Sequence, residues 1–111
     1  MKKIKLLLVD DEEGYLDVLS KRMSRRRVDV MTADSGEAAI QALRRYDFDV
    51  ALVDLKLPDV SGLELLPNIR EISPFTESLV LTGFSSKDSA IEAINQGACG
   101  YVEKPYDLDQ L

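Results

Sequence analysis

Histidine is missing altogether from these 111 residues, and cysteine occurs once. Without histidine the chain cannot build a Ser-His-Asp or Cys-His nucleophile, nor nearly any zinc site, so a metal bound here is expected to be hard and held by oxygen. The single Cys99 has no partner for an internal disulfide and is expected as a small buried hydrophobe. Only 4 prolines and 6 glycines interrupt the chain, and 45% hydrophobic against 31% charged residues is the balance of a folded globular protein rather than a disordered one. Long apolar runs are lacking too. Met1-Lys2-Lys3 leads into one far too short for a signal-peptide core or a membrane span, so a cytoplasmic chain without membrane contact is expected. A basic balance is also absent: the net charge of -6 argues against direct, sequence-independent nucleic-acid binding, which draws on basic surface to neutralise phosphates. The run Lys21, Arg22, Arg25, Arg26 and Arg27 is a local exception, expected as the solvated end of a helix complementing its dipole. The length is that of one domain, residues 1–111, able to bury a core without disulfides or a structural metal.

What is present is periodic. Apolar runs rich in β-branched residues recur at Ile4–Val9, Val28–Ala33, Val50–Val53, Leu79–Leu81 and Tyr101–Val102. Between them lie segments at helical spacing: Leu16, Leu19 and Met23; Ala39, Ile40 and Leu43; Leu66, Ile69 and Arg70; Ala90, Ile91 and Ile94. Asp34-Ser35-Gly36-Glu37 sets an Asx residue three positions before a Glu, the mark of a helix start, and Ser85-Ser86-Lys87-Asp88 repeats it with Asp in the acidic place. Gly97 fits a left-handed residue ending the fourth predicted helix. Pro67 would break the pattern of Leu63 to Ile72, so that helix is expected to start late, near Leu66, or to kink. Strands apolar throughout, rather than alternating, predict a parallel sheet covered on both faces, and their alternation with helices predicts a doubly wound α/β domain.

In such a sheet ligands bind outside the carboxyl ends of the strands. The stretch LLLVDDEEGY, Leu6 to Tyr15, ends an apolar strand abruptly in acid. Two carboxylates held about 4 Å apart repel by roughly 4 kcal/mol at the effective dielectric of a protein surface, so such a pair wants a cation or a proton. The third strand ends in Asp54, the fourth in Thr82-Gly83 and the fifth in Glu103-Lys104-Pro105. Carboxylates to hold a cation, with a hydroxyl and an ammonium for phosphoryl oxygens, are the parts of a Mg²⁺ and phosphoryl site. Taken singly each has a plainer reading. Asp10 or Asp11 could cap the first helix, Asp54 the turn at Pro58, and Pro58 and Gly62 are ordinary turn residues. Thr82 could be a strand end, Lys104 a solvated lysine and Tyr101 a core residue.

Together, Asp10-Asp11, Asp54 in VDLKLPDVSG, Thr82 and Lys104-Pro105 resemble the signature of the response regulator receiver domains of two-component signalling. The resemblance runs from Lys5 to about Asp109. It implies a flavodoxin-like, five-stranded doubly wound sheet, with the last helix mostly absent because the chain stops at Leu111. It further implies that Asp54 accepts a phosphoryl group from a phosphohistidine on a partner histidine kinase. Asp10, Asp11, Asp54 and the backbone carbonyl of Lys56 would bind Mg²⁺. Thr82 and Lys104 would meet phosphoryl oxygens, Tyr101 would turn inward when Thr82 moves, and Pro105 would follow a cis peptide bond. Phe84, two residues after Thr82, would shield the acyl phosphate from water, leaving only slow loss. A chain with no histidine cannot supply the phosphohistidine itself. The tail EKPYDLDQL points to a fragment of a larger regulator with an output domain beyond Leu111. An absent last helix would expose apolar residues of the first and fifth strands and favour a homodimer.

Two other classes compete. An aspartyl-phosphate phosphatase-like Mg²⁺ enzyme also uses a strand-end Asp, but resembles Asp-x-Asp, and Lys56 stands where the second acid belongs. A flavin-binding module would need a Ser/Thr/Gly-rich phosphate loop after the first strand, where Asp-Asp-Glu-Glu stands instead.

Overall fold

A computed structural model describes residues 4–10, 21, 28–55, 57–82, 91–92, 94–95 and 97–103, with the backbone alone for Thr82 and for 101–103. Strands β1 (Ile4–Val9), β2 (Val28–Ala33), β3 (Val50–Asp54), β4 (Glu77–Thr82) and β5 (Gly100–Glu103) form a parallel sheet in the order β2-β1-β3-β4-β5. Helices α1 (Gly36–Arg45) and α2 (Gly62–Ile72) connect β2 to β3 and β3 to β4. This is the doubly wound arrangement expected, with β3 at the centre. The expected first helix lies outside the described residues apart from Lys21, which is helical and exposed.

β1, β3 and β4 are largely buried on both faces, which is why their apolar runs do not alternate, whereas the edge strand β2 buries only Ala33. Leu7, Val9, Ala51 and Val53 pack on one face with Ala39 and Leu43 of α1 and Leu65 and Ile69 of α2. Leu6, Leu8, Leu52 and Leu81 form a second cluster on alternate positions. Each fully buried leucine among them contributes on the order of 1.5–3 kcal/mol relative to exposure. At the amino edge of the sheet the loops are sewn together. Lys5 N–H donates to Asp49 Oδ2 at 2.9 Å, Thr76 Oγ1–H to the Phe48 carbonyl at 2.8 Å and Glu77 N–H to the Asp49 carbonyl at 3.0 Å.

Both helix starts depart from expectation. The N-cap of α1 is Ser35, whose hydroxyl accepts the Ala38 N–H at 3.1 Å, so Asp34 is not the cap. Helix α2 begins at Gly62, well before Leu66, because Ser61 caps it by accepting the Leu63 N–H at 3.2 Å. Ser61-Gly62-Leu63-Glu64 is itself a Ser-x-x-Glu start signal, which outweighs the proline. Pro67 sits inside the helix, where the Leu63 carbonyl loses its partner; Leu65, Leu66 and Ile69, all buried, hold the turn in place. Since Pro67 is exposed and packs against little, Pro67→Ala is expected to raise the unfolding free energy by about 1–3 kcal/mol, read from urea denaturation.

Two further expectations change at the fourth predicted helix and its exit. Ile91 and Ile94 are helical, but they are 58% and 44% exposed rather than a buried face. Gly97 does take a positive φ of 109°, with its N–H on the Ile94 carbonyl at 3.1 Å. The residue that turns inward after it is Ala98, 6% exposed, so Cys99 is left exposed rather than buried.

Candidate functional site

The carboxyl ends of the strands form the site. Asp10 follows β1 directly, is wholly buried, and its N–H continues the ladder to the Ala33 carbonyl at 3.0 Å. Asp54 is the last residue of β3 and 8% exposed. Val9 stands opposite Val53, so the same register carried one residue further sets Asp10 opposite Asp54, on strands spaced about 4.8 Å apart. On the other side Asp54 pairs with Leu81. The next residue of β4, Thr82, pairs with Glu103 at the end of β5. Acid, acid and hydroxyl positions therefore stand along one edge. Tyr101 is placed on β5 opposite Val80.

Asp11, Lys56, Phe84, Lys104 and Pro105 lie outside the described residues. Among the described residues no three His, Cys, Asp or Glu side chains gather as a metal-binding group. The two acids that are described, Asp10 and Asp54, make a donor set of hard carboxylate oxygens on adjacent strands, which fits Mg²⁺ or Ca²⁺ and no soft metal.

Two residues that the sequence reading treated as ordinary, or passed over, shape this rim. Gly62 is buried, and a Cβ on it would lie 2.5 Å from the Asp54 carbonyl oxygen and 2.7 Å from Leu55 Cα. Its N–H closes the loop 55–61 by donating to the Leu55 carbonyl at 2.9 Å. Only a residue without a side chain lets the two ends of the loop meet beside Asp54. Asp59, on the same loop, reaches across to α1: Oδ1 accepts the Gly36 N–H and Oδ2 the Glu37 N–H, both at 2.9 Å. The sequence signal for Gly62 was its place in the Ser61-Gly62-Leu63-Glu64 start; Asp59 carried none, because its partners lie more than twenty residues earlier.

The Gly36 amide, followed by the Glu37 amide, holds the Asp59 carboxyl below its ordinary pKa of 3.8, with slight burial opposing them. The folded form thus gives up its proton more readily than the unfolded one. The contribution of this contact to stability is complete above 3.8 and is lost as pH falls through the lower folded value. Urea midpoints of the wild type and Asp59→Asn are accordingly expected to differ at neutral pH and to converge at acid pH; a gap that persists in acid would mean that the carboxylate charge is not what matters.

Similarity to known proteins agrees with this geometry. The family model of the response regulator receiver domain matches residues 6–111, and the chain belongs to that family. It is 37% identical over 111 residues to the response regulator protein PilR of Pseudomonas aeruginosa, matching all of this chain and 25% of that protein. It is 34% identical over 106 residues to the transcriptional regulatory protein GlrR of Escherichia coli, covering 96% of this chain and 24% of the relative. The chain thus spans about a quarter of the length of these curated relatives. Among solved structures, a response regulator protein from Burkholderia pseudomallei with a phosphorylated aspartic acid, a calcium ion and citrate superposes with a TM-score of 0.91 at 30% identity, over 97% of this chain and 64% of that one. A CheY-like receiver domain protein from Methanospirillum hungatei gives 0.91 at 28% identity, over 97% and 86%. The domain is a phosphoacceptor switch of two-component signalling with the flavodoxin-like fold. Membership of this family favours the switch over the phosphatase-like enzyme and the flavin module. Among the described residues no helix is long and apolar enough to cross a membrane.

Proposed function

We propose that Asp54 is the residue that takes the phosphoryl group, from a phosphohistidine of a partner histidine kinase in the cytoplasm. The observation that carries this is its position: the last residue of the central strand, nearly buried, on the strand next to Asp10. An Asp54 carboxylate oxygen forms the new bond to phosphorus while the bond from phosphorus to the histidine nitrogen breaks, and the imidazole leaves with the electron pair. Such a transfer asks for alignment and charge neutralisation more than for covalent help. Asp10, Asp11, Asp54 and the Lys56 carbonyl would hold a Mg²⁺, which when bound offsets the negative charge on the phosphoryl oxygens. Thr82 donates its hydroxyl and Lys104 its ammonium to those oxygens. Loss to water is slow, with Phe84 shielding the acyl phosphate, and Thr82, Tyr101 and Pro105 pass the change onward. The phosphorylated aspartate and calcium ion of the Burkholderia pseudomallei protein support the acceptor type and the divalent cation. By analogy with relatives named as transcriptional regulators, the downstream output is transcription, carried by sequence outside this domain.

Intact-protein mass after incubation with acetyl phosphate tests the reading. One phosphoryl adduct that appears with Mg²⁺ and not without it is expected. A folded chain that binds Mg²⁺ yet never gains an adduct, even when sampled within seconds, would count against it.

A further inference from the structure

We propose that Asp59 is a positioning residue for phosphoryl transfer: it pins the loop that follows Asp54 to the first turn of α1 and so steadies the end of β3 that carries Asp54. This rests on the assignment of Asp54 as acceptor made above. The loop 55–61 is closed at its neck, where Gly62 N–H meets the Leu55 carbonyl at 2.9 Å, and tied towards β4, where Leu55 N–H meets the Leu81 carbonyl at 3.3 Å. Neither bond restrains its far end. That end is held by Asp59, with one carboxylate oxygen on each of two successive amides of α1 at 2.9 Å. Oδ1 also accepts the Val60 N–H at 3.0 Å, which fixes the side chain against its own loop. Hydrogen bonds to an ionised acceptor are roughly twice as strong as neutral ones, and a bidentate pair sets an orientation as well as a distance.

The contact is more than a helix cap. Ser35 already caps α1 and serves the Ala38 N–H. Asp59 serves the two amides that Ser35 does not, and does so from another part of the chain. The surfaces also fit closely: a Cβ on Gly36 would run into Val60 Cγ2 and would stand 3.3 Å from Asp59 Oδ1. Asp54, the proposed acceptor and a proposed ligand, directly precedes the neck of this loop. A group that holds ligand-bearing backbone in place typically carries a 10–100-fold effect on metal affinity or activity.

The test measures Mg²⁺ affinity by calorimetry and the initial rate of acyl-phosphate formation from acetyl phosphate, alongside the Tm, in the wild type, Asp59→Ala, Asp59→Asn and Ser35→Ala. Asp59→Ala is expected to weaken Mg²⁺ binding and slow the reaction, each by about tenfold. Asp59→Asn keeps one acceptor oxygen and recovers part of both. Ser35→Ala loosens the same helix end without touching the loop, and is expected to lower the Tm while leaving affinity and rate at wild-type values. Wild-type affinity and rate in Asp59→Ala would overturn the proposal, and so would equal losses in Ser35→Ala, which would reduce the effect to fraying of α1. A wild type that takes no phosphoryl group at all would fail earlier, at the acceptor assignment, and bring this inference down with it.

Discussion

Asp54→Asn is expected to abolish acyl-phosphate formation while leaving the chain folded. Asparagine has the same shape, so the nearly closed space at the end of β3 remains filled, but its amide is neutral and offers no oxygen nucleophile. The loss should be complete rather than partial, since the acceptor atom itself is removed. Stability should move the other way. Asp10 and Asp54 stand side by side on adjacent strands spaced about 4.8 Å apart, so two carboxylates share this edge. Removing one carboxylate lowers the negative charge at this edge, as a bound Mg²⁺ would in the wild type. Without Mg²⁺ the urea midpoint of the variant is expected to be no lower than that of the wild type, and the rise on adding Mg²⁺ to be smaller, because ligand stabilisation follows affinity. An adduct retained in the variant, found by intact mass, would place the acceptor elsewhere.

The second large effect is expected at Gly62. Alanine there sets a methyl group 2.5 Å from the Asp54 carbonyl oxygen and 2.7 Å from Leu55 Cα. Both are backbone atoms, so no side-chain rotation makes room, and either the loop must open or the end of β3 must bend. Overpacking of this kind costs about 1–3 kcal/mol, measurable as a lower urea midpoint. Because the atoms that must move belong to the proposed acceptor and its neighbour, the phosphorylation rate is expected to fall in the fraction of chains that remain folded. A variant with unchanged midpoint and unchanged rate would show that the approach of α2 to β3 is not required.

β1, β3 and β4 were legible because burial on both faces writes itself into sequence as unbroken apolar runs, and the site because β1 and β3 stop in acid. Boundaries were less so. β4 begins at Glu77, two residues ahead of its apolar run, because its ladder with Val50 and Ala51 does not depend on side-chain polarity. The late start expected for α2 gave Pro67 too much weight against the Ser61 cap. Cys99 was expected inside from its chemistry alone, yet the turn at Gly97 sends Ala98 inward instead. Asp59 was illegible in principle. Its role exists only when the loop 55–61 meets α1, and nothing local to Leu57-Pro58-Asp59-Val60 shows which amides it will find.

The strand order also sets a hierarchy of opening. β3 is shielded by β1 on one side and β4 on the other, whereas β2 and β5 are the outer strands. Amide protons of β3 should exchange only through the largest unfolding events, while those of β2 and β5 exchange through smaller ones. The proposed acceptor thus sits on the least yielding strand of the domain, and a rearrangement following phosphorylation there would be cheapest at the margins. A signal received at so immovable a point and expressed at the periphery would leave the receiving geometry intact for the next cycle.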